Sequence, residues 1–269
     1  MAESITSRRN PRIRHLRELL RAPRARREAG QFAAEGARAV CEALRAGWQP
    51  LELLLRDPPR VPRDIEALRA LLPHPQPPAY LVAAQVLDWA IDAEGSVDAV
   101  AIFPLPGLPP VQAIVGNPAA LLVGEDIQDP GNVGALLRIA EGAGLDGVLL
   151  LGQCADPFGP KAVRGSAGAV FCVNIARGQS FADVPWPELN LTLIGTTADA
   201  PTSCFSLNLN RSVALLFGNE SRGLRPETLA ACHELAAVPM AGQLPSLNVA
   251  AAAAVFAFEC ARQQGRLPG

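Results

Sequence analysis

Three polar loops in the second half of the chain each follow an apolar run and precede a helix-like pattern: residues 125–134 continuing to Arg138, residues 217–224, and residues 238–240 continuing through 246–249. An apolar run that ends in a loop and hands over to a helix reads as a strand of an α/β sheet. In such open sheets ligands bind at the loops on the carboxyl ends of the strands. Three of these loops on one sheet edge make a site.

The pattern extends on both sides. Strand-like runs at 121–123, 148–151, 170–175, 191–195, 213–217 and 235–238 alternate with helical patterns at 132–143, 159–167, 226–232 and 247–263. That alternation predicts an α/β fold with a mostly parallel sheet covered on both faces. The last helix is apolar on nearly every side from Val249 to Cys260, which predicts burial against its own sheet and against a second subunit. Upstream, strand-like segments at 30–34, 51–55, 79–82 and 97–103 alternate with helical patterns at 36–46, 64–72 and 83–90, so a small α/β domain is expected there. The uncharged, proline-rich stretch that follows reads as a semi-rigid linker. The expected division is 1–106, a linker at 107–118, and a second domain at 119–269. With 269 residues and 49% hydrophobic content, either domain can bury a core.

A net charge of −2 hides a strong asymmetry: residues 1–30 hold nine arginines against three glutamates, so this end carries +6 and the rest −8. A helix starting at Pro11 would place Ile13, Leu16, Leu19 and Leu20 on one stripe and the arginines elsewhere. The arginines then either face a phosphate backbone or simply stay solvated.

Several classes are set aside. No run reaches the ~18 apolar residues a membrane span needs, and the arginines beginning at Arg8 interrupt anything like a secretory signal, so a cytoplasmic protein is expected. The six cysteines form no C-x-x-C pair and the three histidines are isolated, which predicts free thiols and no metal site. Residues 142–147 satisfy G-x-G-x-x-G, but a helix precedes them and a strand follows, the reverse of the dinucleotide-binding order. They read as a helix end and turn. The only lysine, Lys161, follows Pro160 and precedes Ala162, which leaves no P-loop, and no serine has the glycine spacing of a nucleophile elbow.

The three loops offer neutral amides, a hydroxyl, a carboxylate and an arginine. Asn132, Asn219, Asn248 and Ser246 donate and accept hydrogen bonds, while the glycines let backbone approach a ligand closely. That donor set suits a polar organic cofactor better than a metal or a triphosphate. For Asn132 and Ser246 singly, helix capping is an equally good reading.

These motifs resemble the SpoU/TrmH class of RNA methyltransferases in the SPOUT superfamily. The resemblance rests on Asn132 with Arg138, on Gly218-Asn219-Glu220 with Gly223-Leu224, and on Pro239-Met240 closing on Ser246-Leu247-Asn248-Val249. Residues 161–169 are similar to the family's segment between its first two motifs. Ser7-Arg8-Arg9-Asn10-Pro11, Arg27 and residues 32–36 resemble the L30e-like RNA substrate-binding domain of ribosomal RNA members.

The resemblance implies a trefoil-knotted sheet, a homodimer formed through the knot and last helix, and S-adenosylmethionine as cofactor, used to methylate a ribose 2′-hydroxyl. It implies cofactor contacts from Thr196, Thr197, Gly218, Asn219, Val238, Met240 and Leu247. It implies a catalytic group of Arg138, Asn132, Glu220, Ser246 and Asn248. Arg8, Arg9, Arg12, Arg27, Lys161 and Arg164 become candidate RNA contacts, though Lys161 and Arg164 read equally as surface charges. The N-terminal domain favours 23S ribosomal RNA; transfer RNA is the alternative substrate, and a non-catalytic ribosome assembly factor is the alternative class. Ser221-Arg222 stand where the family commonly has glycine, which alters the local loop and leaves Glu220 in place.

Overall fold

The computed structural model describes residues 4–91, 97–244 and 246–268. Its chain divides into two compact units, one of Met1–Gly107 with Phe158–Phe171, the other of Leu108–Pro157 with Cys172–Gly269.

The first unit contains β1 (Ser4–Ile5), α1 (Pro11–Arg21), α2 (Pro23–Ala29), β2 (Gln31–Glu35), α3 (Ala37–Arg45), β3 (Glu52–Asp57), α4 (Pro62–Ala70), β4 (Ala79–Ala83), α5 (Ala84–Ala90) and β5 (Ala99–Pro104). The sheet order is β1-β4-β3-β5-β2, with β1, β4 and β3 parallel and β5 antiparallel to both β3 and β2. The side chain of Asn10 accepts the Arg12 N–H at 2.9 Å and so caps α1, a bond that stabilises a helix start by about 1 kcal/mol. Ile13, Leu16 and Leu20 of α1 sit in one core with Ala33, Leu54, Val82, Val86, Leu87 and Val100. The arginine-rich face is left outside. The amphipathic helix is present as expected, while β1 and α2 carry too little periodicity to be seen in the sequence.

On another part of this unit Phe32, Trp48 and Phe103 form an aromatic cluster completed by Phe158 and Phe171. Trp48 Nε1 donates to the Phe171 carbonyl at 2.9 Å. This aromatic anchor draws 158–171 into the first unit.

The second unit contains β6 (Ala120–Glu125), α6 (Pro130–Gly142) and β7 (Gly147–Leu151). After α7 (Pro160–Gly165), which belongs to the first unit, it continues with β8 (Ile175–Gly178), α8 (Trp186–Leu189), β9 (Thr192–Thr196), β10 (Thr202–Ser203), β11 (Val213–Phe217), α9 (Pro226–Ala231), β12 (Glu234–Ala237) and α10 (Val249–Gln263). Seven parallel strands run in the order β10-β12-β9-β11-β6-β7-β8. β6, β7 and β11 are buried along their whole length, which is why they read as unbroken apolar runs. From β6 the chain winds to one side and later fills the other, so the order reverses at β6/β11, where such sheets open a crevice.

Two expectations change. The apolar run 170–175 is not one strand: Ala169–Phe171 forms a 3₁₀ turn and the strand begins at Ile175, because Phe171 is held by the aromatic cluster of the first unit. The stretch 107–118 is not bare linker: Val111 and Ile114 form a short 3₁₀ helix buried in the core with Leu121, Val123 and Leu149. As expected, 142–147 ends a helix and turns, with Gly144 at φ +63°.

One stripe of α10 is buried through Ala253, Phe256, Ala257, Cys260 and Ala261, and Phe256 meets Phe217 of β11 edge-on at 5.7 Å between ring centres. The opposite side is open at Phe258, 42% exposed, and Leu247, just before the helix, is 37% exposed.

Candidate functional site

A cavity of about 600 Å³ opens at the carboxyl ends of β9, β11 and β12. Its wall includes all seven residues expected to meet a cofactor, Thr196, Thr197, Gly218, Asn219, Val238, Met240 and Leu247, together with Glu220, Ser246 and Asn248. Apolar surface comes from Phe217, Leu224, Val249 and Phe256, and a second carboxylate from Asp199.

The 218–224 loop is folded tightly back on itself. Asn219 N donates to the Gly223 carbonyl at 3.0 Å and Gly223 N returns the bond at 2.8 Å. A Cβ on Gly218 would lie 2.0 Å from the Gly223 carbonyl carbon and 2.1 Å from the Leu224 nitrogen, so no side chain fits there. Asn219 works in two directions: its Oδ1 accepts from Ser221 N and Arg222 N, while its Nδ2 donates to the Asp126 carbonyl at 3.0 Å. Asn219 is a loop organiser as much as a wall of the cavity.

Asn132 does not cap its helix. Asp129 is the N-cap of α6, accepting the Gly131 N–H, which frees the Asn132 amide to donate to Glu220 Oε1 at 2.7 Å and its Oδ1 to accept from Asn248 Nδ2 at 3.2 Å. Asn248 does cap α10, its Oδ1 taking the Ala250 N–H at 2.8 Å. One hydrogen-bonded chain thus ties together all three loops. Ser246 lines the cavity and is exposed. Arg138 stands apart: it is exposed on α6, does not line the cavity, and has no hydrogen-bond or ion-pair partner among the described residues. It lies six residues from Asn132, about 120° around the helix at ~100° per residue.

Beneath the loops is a support that the sequence motifs did not reveal. Glu125, 2% exposed, accepts from Thr228 Oγ1 at 2.6 Å and from Arg225 N at 2.9 Å. Asp126, held at φ +55°, accepts Gln153 N at 2.7 Å and takes both Nε and Nη2 of Arg225. Burial opposes ionisation of Asp126, but the Gln153 N–H and the Arg225 guanidinium outweigh it and hold the carboxyl below its ordinary range. Two successive carboxylates at the end of a buried strand were the available signal.

In the first unit, the predicted RNA-contact residues have mixed surroundings. Arg8 lies over Trp89, with 5.5 Å to the ring centre, and Arg12 over Tyr80 at 4.0 Å; Arg9 lines a surface hollow with Arg8, and Arg27 is exposed on α2. Lys161 is exposed on α7. Arg164 donates to Glu35, whose side chain is 1% exposed, so this arginine compensates a buried carboxylate.

Burial pushes the thiols of Cys154, Cys232 and Cys260 up to about 11, which leaves them protonated and unreactive near neutral pH. Among the described residues no group of three or more histidine, cysteine, aspartate or glutamate side chains is placed to hold a metal ion.

Residues 119–258 match the SpoU rRNA Methylase family, and residues 10–88 match an MRM3-like substrate binding domain. The chain is 32% identical over 277 residues to an uncharacterized tRNA/rRNA methyltransferase of Synechocystis sp., covering 97% of this chain and 94% of that one. It is 30% identical over 271 residues to the 23S rRNA (uridine(2479)-2′-O)-methyltransferase of Streptomyces viridochromogenes, covering 98% and 93%. The crystal structure of the SpoU methyltransferase AviRb from Streptomyces viridochromogenes in complex with AdoMet superposes with a TM-score of 0.84 at 27% identity, over 95% of this chain and 98% of that one. Motifs, parallel sheet and full-length similarity agree: the chain belongs to the SpoU rRNA Methylase family.

Proposed function

We propose that this protein transfers a methyl group from S-adenosylmethionine to a ribose 2′-hydroxyl of RNA, with 23S ribosomal RNA as its substrate. The observation that carries the reading is the meeting of the second and third loops in one cavity, with the first loop tied to both through the Asn132–Glu220 and Asn132–Asn248 hydrogen bonds. The cavity suits the cofactor chemically. Phe217, Leu224 and Leu247 provide apolar wall for an adenosyl group, the tight Gly218 turn brings backbone close, and Asp199 and Glu220 offer carboxylates to a cation.

S-adenosylmethionine supplies a methyl group on a sulfonium that leaves without further activation. The residues then position the reactants and stabilise charge on the attacking oxygen. Arg138 is suited to the second task. A guanidinium stays protonated in proteins, so it stabilises an alkoxide or clamps a phosphate, and the proton of the 2′-hydroxyl passes to solvent water at this exposed site. Its exposure, with no hydrogen-bond or ion-pair partner among the described residues, leaves it available to RNA.

Two observations support the finer reading. The match of residues 10–88 to a substrate-binding domain and the full-length similarity to a 23S enzyme favour ribosomal RNA over transfer RNA. Exposed apolar side chains on and just before α10, Phe258 42% on the helix and Leu247 37% and Leu244 71% ahead of it, favour a homodimer. Free thiols at Cys41, Cys154, Cys204, Cys232 and Cys260 fit a reducing cytoplasm.

The test is incorporation of labelled methyl from S-adenosylmethionine into unmodified large-subunit ribosomal RNA and, in parallel, bulk transfer RNA. Label in ribosomal RNA supports the reading. Label only in transfer RNA reassigns the substrate, and label in neither, with cofactor bound, means that the substrate is a ribosomal assembly intermediate or that the chain does not catalyse.

A further inference from the structure

A second hollow of about 600 Å³ lies in the first unit, between the start of α1 and the strands β2, β3 and β5, lined by Asn10, Arg12, His15, Gln31, Leu51 and Glu52 among others. Three features distinguish it from a solvated groove. The Arg12 guanidinium is held in place: its carbon lies over the Tyr80 ring, 4.0 Å from the centre, and its Nη1 donates to Glu52 Oε2 at 2.5 Å, yet the side chain remains 43% exposed. The guanidinium is therefore fixed on one side and open to a partner on another. Glu52, 13% exposed, keeps its Oε1 without a partner among the described residues. His15 Nε2, 2.7 Å from Gln31 Oε1, fixes the Gln31 amide and leaves its NH₂ unpartnered among the described residues.

A fixed cationic plane, a free carboxylate oxygen and a free amide donor are the parts that recognise an unpaired nucleobase: bases stack on arginine planes, and their edges pair donors with acceptors. A carboxylate is unfavourable against phosphate, so its presence beside Arg12 points to a base N–H. The chain entering this hollow also supplies the neighbouring one. Thr6, Ser7, Arg8 and Arg9 line a hollow of about 560 Å³, and the same turn continues into Asn10 and Arg12. Two arginines and two hydroxyls suit a phosphate.

We propose that the first unit holds one splayed-out, unpaired nucleotide of the RNA, its base stacked on Arg12 over Tyr80 and read by Glu52 and Gln31, its adjoining phosphate held by the Ser7–Arg9 turn. This rests on the RNA-methylating function proposed above and adds to it that substrate choice depends on a single-stranded nucleotide.

The test uses the full chain with twelve-nucleotide RNAs, each carrying one central guanosine, adenosine, cytidine or uridine in a uridine background, and with a twelve-base-pair RNA duplex. Arg12→Lys keeps the charge and removes the plane; Glu52→Gln keeps the shape and removes the carboxylate. For the single strands, Arg12→Lys should bind about 5- to 100-fold more weakly than the unaltered protein, as expected for loss of one stacked base. Glu52→Gln should level the differences among the four bases, and duplex binding should be unaffected by either change. Cofactor affinity and thermal midpoint of both variants, equal to those of the parent, establish intact folding. If Arg12→Lys binds single strands as the parent does while Arg12→Ala does not, Arg12 is a phosphate clamp and the proposal fails. It fails also if Glu52→Gln leaves base preference unchanged. Methyl transfer by the parent protein, measured separately, reports on the function: its absence with base-selective binding intact would sink the enzyme reading and leave the nucleotide site standing.

Discussion

The side-chain amide of Asn132, in the first turn of α6, donates to Glu220 Oε1 at 2.7 Å across 88 residues of sequence. Asn132 also accepts from Asn248, so one amide aligns the second and third loops against the first. Asn132→Ala should lower kcat by about 10- to 100-fold, the scale of a misplacement of roughly 1 Å. Steady-state kinetics checks this, and Asn132→Asp, which loses the donor toward Glu220, should not rescue the rate.

Gly218→Ala puts a methyl group into the backbone of Gly223 and Leu224 at 2.0–2.1 Å. The loop has to open, at about 1–3 kcal/mol of stability. Calorimetry should show a lower thermal midpoint, and isothermal titration should show S-adenosylmethionine affinity falling by at least about tenfold.

Asp126 titrates below its ordinary range because Gln153 N–H and Arg225 outweigh its burial. A depressed carboxyl pKa contributes stability that is present above the unfolded-state value and lost as pH falls through the folded-state value. Thermal midpoints between about pH 7 and about pH 3 should therefore fall more steeply for the parent protein than for Asp126→Asn. Equal slopes would remove Asp126 from the acid-sensitive part of the structure.

Arg138→Ala should lower kcat by about 10²- to 10³-fold, the usual loss for one charge-stabilising donor. Cofactor affinity should stay within about twofold, since Arg138 does not line the cavity. A parallel loss of cofactor affinity would place Arg138 in the binding wall instead.

Phe258, 42% exposed on α10, should anchor the dimer, and Phe258→Asp should give a monomer by light scattering. An unchanged mass for the variant, or a monomeric parent, would contradict the dimer.

The parallel sheet was legible because buried strands such as Val213–Phe217 are apolar without a break, and the place of the cavity because two of the polar motifs end strands of that sheet. Asn132 was ambiguous: sequence alone does not distinguish a helix cap from a cross-loop tie, and the choice falls to Asp129, three residues earlier, which takes the cap. Phe171 was misplaced for a related reason. Local apolarity reports that a residue is buried and is silent on which core buries it, and its own is the aromatic cluster around Phe32 and Trp48. The Asp126–Arg225 pair spans 99 residues, a separation that no spacing rule reaches.

The most direct measurement is the chemical position of the transferred methyl group. Ribosomal RNA labelled by the parent protein, digested with alkali, should release the label only in a single alkali-resistant dinucleotide, as a 2′-O-methylated ribose blocks cleavage at its own linkage, and Arg138→Ala should slow its appearance by about 10²- to 10³-fold. Label recovered in ordinary mononucleotides would place the methyl on a base and contradict the account.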